Sequence, residues 1–216
     1  MERDAATLHS VRAPEDAAAR RIDPRTVDDP GCGEALGRLD RAGMSVAIWD
    51  ITSDIGIPAF LCRIAERRRP PVVTADDAEG MGCHPDRNVA LLRALTEAAQ
   101  SRLGDISGAR DDPSGWDYGH GTGQVAPPAP PEMAGQAARD FTAIPAFDGD
   151  SFDADVAWEL AALRAAGLSE VVAVDLTHED FGIPVVRVIV PGLEGPTTTI
   201  PNCRLGQRAA KLMSDR

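Results

Sequence analysis

The chain has 216 residues, of which 43% are hydrophobic, and a formal net charge of −12. This length supports one sizeable core, so a single domain over residues 1–216 is expected. The negative charge argues against nucleic acid and anionic membranes as partners. Lys211 is the only lysine, which excludes a P-loop lysine and a lysine Schiff base.

The cysteines are scattered and form no CxxC pair. Neither structural zinc nor a disulfide framework is therefore expected. The first residues do not have the pattern of a signal peptide, and no apolar run reaches the ~18 residues of a membrane-spanning helix. The expected location of the protein is the cytoplasm.

The first predicted elements are an amphipathic helix over Asp28–Ala42 and a strand over Val46–Ile51. This strand lies in a segment, Ala42–Phe60, that resembles a later one, Ala166–Val186. Both segments read Ala-Gly-apolar-Ser, a β-rich run, Asp-apolar-Thr, and then Asp-apolar-Gly-Ile-Pro. The repetition predicts a duplicated unit of helix end, strand, turn and strand, which supports a fold more than a chemistry.

Glycine and β-branched residues define the two units further. Gly43 and Gly167 are expected at left-handed helix C-caps. The runs Val46–Ile51 and Val171–Leu176 are rich in β-branched residues and predict buried strands. Gly-Ile-Pro is expected to open the next strand, where the missing donor of proline costs little.

The strongest predicted helix covers Asp86–Leu103, with Pro85 before it and Asp86 as its N-cap. Its predicted apolar stripe consists of Leu91, Leu92, Leu95, Ala98, Ala99 and Leu103. The preceding run Gly80–His84, GMGCH, is interpreted as a glycine-bearing turn. Such a turn suits the approach of an anion to a helix N-terminus, although this signal alone is weak.

The region over residues 112–134 is rich in glycine and proline and predicts an irregular loop, either mobile or functional. Helices are predicted over Asp153–Ala166 and from about Gly206 to Met213. Strands separated by helices indicate an α/β or α+β fold.

Four polar residues share one side of the helix over Asp86–Leu103, within about 100 to 120 degrees of each other: Arg93, Glu97, Gln100 and Ser101. If this side faces a cleft, Glu97 can ligate Mg²⁺, which takes carboxylate oxygens together with nucleotide phosphates. Gln100 can hydrogen-bond the phosphates or their waters, and Arg102 and Arg110 can neutralise phosphate charge.

A plainer interpretation of the same residues stays open. A solvated helix face with an Arg93–Glu97 i,i+4 ion pair has the same composition, and chemistry alone favours it. The adjacent Cys83 and His84 are more consistent with packing in a turn than with a nucleophile pair or a metal site.

The residues of Gly80–Arg102, followed by the Gly-Ala-Arg-Asp-Asp turn of Gly108–Asp112, resemble the YcaO family. Its second nucleotide-binding helix reads much like GxGxHxDxxxALxRAxTEAxQSR. The two Asp-apolar-Thr…Gly-Ile-Pro units, the run Val190–Glu194 and the opening run Glu2–Ala5 also look like this family. The resemblance covers essentially the whole chain and implies an α+β, YcaO-like fold.

YcaO proteins bind ATP and Mg²⁺ and activate a backbone amide of a peptide or protein by phosphorylating its oxygen, which leads to azolines or thioamides. The resemblance implies that Glu97 and Glu2 are magnesium ligands. It implies that Gln100 and Arg102 orient the phosphates. Arg110 is then the catalytic residue that stabilises the transferred phosphoryl group.

The chain also departs from the family pattern. The family's first metal-binding helix supplies a Ser-xxx-Glu pair before the position of Glu2, so a truncated N-terminal part is expected. Three explanations stay open: a misassigned start, a second chain that supplies the missing part, or a decayed relative that is a non-catalytic binding or scaffold subunit, which is the alternative function. Loss of the N-terminal part would expose apolar sheet surface and so favour a homodimer. The proline cluster Pro127–Pro131 is internal rather than terminal, which favours the branch that works with a TfuA-type partner in thioamide formation.

Overall fold

A computed structural model describes residues 1–67, 77–107, 139–195 and 204–214. Its helices are α1 (Glu2–Ser10), α2 (Pro14–Ala19), α3 (Pro30–Arg41), α4 (Arg87–Ser107), α5 (Phe152–Ala165) and α6 (Gln207–Ser214). Its strands are β1 (Met44–Asp50), β2 (Ala59–Glu66), β3 (Ala78–Cys83), β4 (Val172–Asp175) and β5 (Val186–Ile189). The α+β class is confirmed. Of the helices in these ranges, none has the length and apolarity needed to cross a membrane.

Three antiparallel strands in the order β1–β2–β3 form the central sheet. The register pairs Met44 with Glu66 and Ala59 with Cys83. Strand β3 corrects the sequence analysis, because the run GMGCH was interpreted as a turn and instead forms most of this strand. Two glycines lower the strand propensity of the run, so local sequence gave no sign of it.

The two glycines of β3 bring the backbone of α4 directly against the strand. A Cβ atom added at Gly80 would lie 2.1 Å from the backbone nitrogen of Ala98 and 2.4 Å from the carbonyl oxygen of Ala94. One added at Gly82 would lie 2.1 Å from the carbonyl oxygen of Ala90. These alanines are fully buried and lie at i, i+4 and i+8 along the helix. The glycines therefore serve helix–strand packing and not the approach of an anion.

Helix α4 begins as the sequence predicts. Asp86 Oδ1 accepts the backbone N–H of Asn88 at 2.7 Å, which confirms the predicted cap. The predicted apolar stripe is wrong at Ala99 and Leu103, which are exposed. Ala99 turns away from the buried alanine line. The 21 residues of α4 extend for about 31 Å, beyond the ~20 Å of the six-residue β3, and Leu103 lies past the strand.

The internal repeat is confirmed in the hydrogen bonds of its turns. In the first unit, Asp50 Oδ1 accepts the N–H of Thr52 at 2.9 Å, and Thr52 Oγ1 accepts the N–H of Ala59 at 3.2 Å. In the second unit, Asp175 Oδ1 accepts the N–H of Thr177 at 2.9 Å, and Thr177 Oγ1 accepts the N–H of Val185 at 3.1 Å. The Asp-apolar-Thr motif thus builds the same side-chain-stabilised turn twice.

The helix ends before both units also agree with the prediction. Gly43 has a φ of 74° and Gly167 a φ of 82°, the left-handed conformation that glycine adopts without a Cβ penalty. The predicted helices over Asp28–Ala42, Asp153–Ala166 and Gly206–Met213 correspond to α3, α5 and α6 within one or two residues at each end. Helices α1 and α2 were not anticipated.

The second unit differs from the first in burial. Strands β4 and β5 pair antiparallel in a two-stranded sheet, and every residue of both is exposed. The prediction that Val171–Leu176 forms a buried strand is therefore wrong in its burial. The described part of the chain contains no element that covers this hairpin as α4 covers β2 and β3.

Replacement of Gly82 by alanine tests the helix–strand contact. We expect Gly82→Ala to lower the free energy of unfolding by about 2–3 kcal/mol, because its Cβ overlaps the backbone of α4. Chemical denaturation monitored by circular dichroism measures this change. The matched control is Gly33→Ala in α3, where an added Cβ meets nothing within 4 Å and should raise stability by about 0.5–1 kcal/mol. Equal effects of the two substitutions would contradict the contact.

Candidate functional site

An open cavity of about 750 Å³ runs along the exposed side of α4. Its polar lining includes Arg93, Thr96, Glu97, Gln100, Ser101 and Asp105. The four residues that the sequence analysis placed on one side of the helix therefore do share one surface. The opposite side of α4 holds the alanines that pack on β3, so this contact decides which side faces outward.

Glu2 of α1 lies beside this surface. Its Oε2 atom is 3.6 Å from Nη2 of Arg93. Glu97, one turn further along α4, accepts the backbone N–H of Met81 through Oε2 at 3.3 Å. Within the described ranges, Arg93 pairs with Glu2 rather than with Glu97, so the i,i+4 pair of the plainer interpretation does not form. The two acids proposed as metal ligands thus come from two different helices. Glu2 of α1 pairs with Arg93, which precedes Glu97 by one turn of α4.

A buried polar network holds α1 in this position. Asp4 is 1% exposed, and its Oδ1 accepts the N–H of Glu194 at 2.9 Å. Its Oδ2 lies 3.1 Å from Nη2 of Arg208, and the Thr7 hydroxyl donates to the carbonyl of Gly195 at 2.8 Å. Burial raises the pKa of Asp4, outweighing the lowering by the Glu194 N–H and by Arg208.

Glu194 extends the same network to α6. Its Oε2 accepts the N–H of Gly206 at 2.7 Å, and its Oε1 accepts the N–H of Ala209 at 2.9 Å. This buried carboxylate satisfies donors of the first turn of α6, as an N-cap does. Sequence reasoning assigned Asp4 and Glu194 no role beyond the family resemblance, since residues about 190 positions apart carry no local signal of their contact.

Arg102, one of the two arginines predicted at the site, is not on the same surface. Arg102 follows Arg93 by nine residues and so lies on the opposite side of the helix, about 180 degrees around its axis. Its Nη2 bonds Oε1 of Glu66 at the end of β2, and its side chain is 12% exposed. Arg102 therefore ties α4 to the sheet and does not line the cavity. Arg110 and the loop over residues 112–134 lie outside the described residues.

The donor set of the α4 surface consists of oxygen atoms from Glu97, Gln100, Ser101 and Asp105, with Glu2 nearby. Within the described residues, no group of three or more His, Cys, Asp or Glu side chains could hold a metal ion. A hard cation held by one or two carboxylates, with phosphate oxygens and waters completing its coordination, fits this set. A closed all-protein cage does not.

Cys83 and His84 act in packing and turn formation. The Nδ1 atom of His84 accepts the N–H of Asp86 at 3.0 Å, which closes the turn before α4. Burial raises the pKa of the Cys83 thiol to about 12, so the thiol stays protonated at neutral pH. This geometry agrees with the turn-packing interpretation and argues against a nucleophile pair.

The described chain is an α+β structure with an oxygen-lined helix surface joined to a second helix. The family model described as YcaO cyclodehydratase, ATP- and Mg²⁺-binding, matches residues 1–194. The chain belongs to the YcaO family.

Two curated relatives extend this finding. An uncharacterized protein in the tfuA 3′ region of Rhizobium leguminosarum bv. trifolii is 38% identical over 198 residues, which cover 90% of this chain and 47% of the relative. An uncharacterized protein of Methanothermobacter thermautotrophicus is 34% identical over 200 residues, which cover 90% of this chain and 50% of the relative. The chain thus spans about half the length of the curated relatives it matches.

Solved structures confirm the predicted fold. The heterocyclase TruD has a TM-score of 0.66 and 27% identity, with 89% of this chain and 26% of TruD covered. The YcaO protein of Methanopyrus kandleri, bound with AMPPCP and Mg²⁺, has a TM-score of 0.60 and 21% identity, with 89% of this chain and 49% of that protein covered.

The reactivity of the cysteine thiols tests how deeply they lie in the structure. Burial raises the pKa of Cys32, Cys62 and Cys83 to about 12. We expect iodoacetamide at pH 8 to leave these three residues largely unmodified in the native chain and to modify them fully in urea, as peptide mass spectrometry would show. Modification of native Cys32 or Cys62 within minutes would contradict their burial.

Proposed function

We propose that this chain supplies one wall of an ATP–Mg²⁺ site in a YcaO protein that activates backbone amides of peptides. The main observation in support is the meeting of α1 and α4, where Glu2 pairs with Arg93 one turn from Glu97. The membership of the chain in an ATP- and Mg²⁺-binding family supports the identity of the ligand.

In this proposal, each residue of the surface has a defined task. Glu97 is the magnesium ligand on α4, and Glu2 is a second carboxylate that α1 brings to the same place. Gln100, whose side chain lines the cavity, donates to phosphate oxygens or to their waters. Arg93 pairs with Glu2 and so holds this carboxylate beside the α4 surface.

The two remaining arginines have different tasks. Arg102 holds the second half of α4 against the sheet through Glu66, and we assign it this positioning task instead of phosphate contact. Arg110 stays the proposed catalytic residue, as the cation that stabilises the transferred phosphoryl group.

ATP and Mg²⁺ would supply the phosphoryl group that turns the amide oxygen into a leaving group. The nucleophile, a peptide side chain in azoline formation or a sulfur donor in thioamide formation, would add to the amide carbonyl carbon, and the phosphorylated oxygen would then depart as phosphate. The relative in a tfuA 3′ region supports a TfuA-like partner protein and hence the thioamide branch. The substrate in either case is a peptide or protein.

A non-catalytic binding subunit is the second candidate function. The observation that favours it is that no group of three or more His, Cys, Asp or Glu side chains within the described residues could hold a metal ion. A site built from two helices of this half alone offers few metal ligands. Such a subunit would keep the fold and its peptide or protein contacts without hydrolysing ATP.

Titration calorimetry with ATP–Mg²⁺ tests the proposed site. We expect Glu97→Gln to weaken binding by at least about tenfold, because the substitution removes a charged metal ligand but keeps the side-chain shape. The matched control is Glu170→Gln, which changes an exposed acid outside the cavity. The titration uses the chain alone and the chain mixed with the unmatched portion of the Rhizobium relative. Absence of binding in both, or equal binding by Glu97→Gln, would contradict the proposal.

A further inference from the structure

The β4–β5 hairpin has apolar side chains exposed on both of its faces. The cross-strand register places Arg187 and five apolar residues on the first face, and the exposure of the apolar residues ranges from 38 to 53%: Val172, Val174, Leu176, Val185 and Ile189. On the second face, Val186 is 65% exposed and Val188 is 58% exposed. A two-stranded hairpin on its own is marginally stable in water. Contiguous exposed apolar side chains are typical of interaction surfaces.

The first repeat unit shows what covers the second face of such a hairpin. When the Gly-Ile-Pro motifs are aligned, Val186 corresponds to Phe60 and Val188 to Cys62. Both counterparts are 0% exposed, in the core cluster that includes the buried residues of α4. The outer edge of β2 is paired with β3, whereas β5 pairs only with β4 in the described part of the chain.

The opposite face has a counterpart as well. Val174 corresponds to Trp49 and Leu176 to Ile51, which are 9% and 1% exposed. These two residues pack in a cluster with Ala5 of α1. The same local hairpin is thus buried on both sides in the first unit and on neither side in the second.

We propose that a companion segment of the β3–α4 type completes the second unit. Its strand pairs with the free edge of β5, and its helix crosses Val186 and Val188. The segment belongs to the portion of a YcaO protein that this chain does not span. The relatives supply enough length for it, because the chain covers only 47% and 50% of them.

The packing of the first unit predicts the sequence pattern of the companion segment. The helix of that unit approaches its strand closely because small residues meet at the crossing, Gly80 and Gly82 against Ala90, Ala94 and Ala98. The companion therefore has two small residues at alternate positions of a strand, followed by a helix with small residues at i, i+4 and i+8. This inference rests on the fold repeat and is independent of the proposed ATP–Mg²⁺ site.

Hydrogen exchange of the complete chain tests the inference, with the separately produced unmatched portion of the Rhizobium relative as the probe. We expect the amides of Val172–Asp175 and Val186–Ile189 to exchange at least about a hundredfold more slowly with the probe present. The amides of Met44–Asp50 should be protected with and without it.

Substitutions in the hairpin locate the binding surface. We expect Val188→Asp to weaken probe binding by at least about tenfold, because a charge would replace an apolar contact at the centre of the interface. The matched control is Val156→Asp, which changes a valine of α5 that is 52% exposed and should leave binding unchanged. Glu97→Gln should also bind the probe normally, which separates this result from that of the nucleotide titration.

Three outcomes would overturn the inference. They are failure of the wild-type chain to bind the probe, equal binding by Val188→Asp, and a dimer of the chain alone that Val188→Asp dissociates. The last outcome, measured by light scattering, would assign the hairpin to a second copy of this chain.

Discussion

The backbone contact between α4 and β3 is the constraint on which the rest of this structure depends. Gly80 and Gly82 leave no side chain between the strand and the helix, so the alanines at i, i+4 and i+8 meet the strand backbone. A helix held so closely has one allowed rotation about its axis. That rotation turns Arg93, Glu97 and Gln100 outward, brings Glu97 to the N–H of Met81 and directs Arg102 to Glu66. The packing of the glycines of β3 against the alanines of α4 therefore decides which polar side chains of α4 face the cavity.

A second constraint acts on the other helix of the candidate site. Asp4 and Glu194 are buried carboxylates, and burying a charge is costly unless hydrogen bonds and an ion pair compensate it. The N–H groups of Glu194, Gly206 and Ala209, together with Arg208, provide that compensation. Because these bonds join α1, the segment after β5 and α6, they fix α1 where Glu2 reaches Arg93. The YcaO-like runs Glu2–Ala5 and Val190–Glu194 thereby act together in one network.

The two units of the internal repeat have the same local structure but differ in burial. Asp50 with Thr52 and Asp175 with Thr177 close the same turn with nearly the same distances. Yet the first hairpin lies in the core, whereas the second is exposed on both faces. The same sequence pattern therefore leads to the same hairpin and leaves open what packs against it.

The sequence by itself determined the features that depend on neighbouring residues. These are the cap of α4 at Asp86, the glycine helix ends, the repeated turns and the shared side of Arg93, Glu97 and Gln100, because short-range hydrogen bonds and helical periodicity specify them. Periodicity also places Arg102 on the opposite side of α4, which the motif-based assignment overlooked. Only the tertiary structure decided that the glycine run forms β3, that Glu2 meets Arg93, and that β4 and β5 are exposed. Each of these depends on contacts between segments distant in the chain, and the free energy of such packing has no local signature in the sequence.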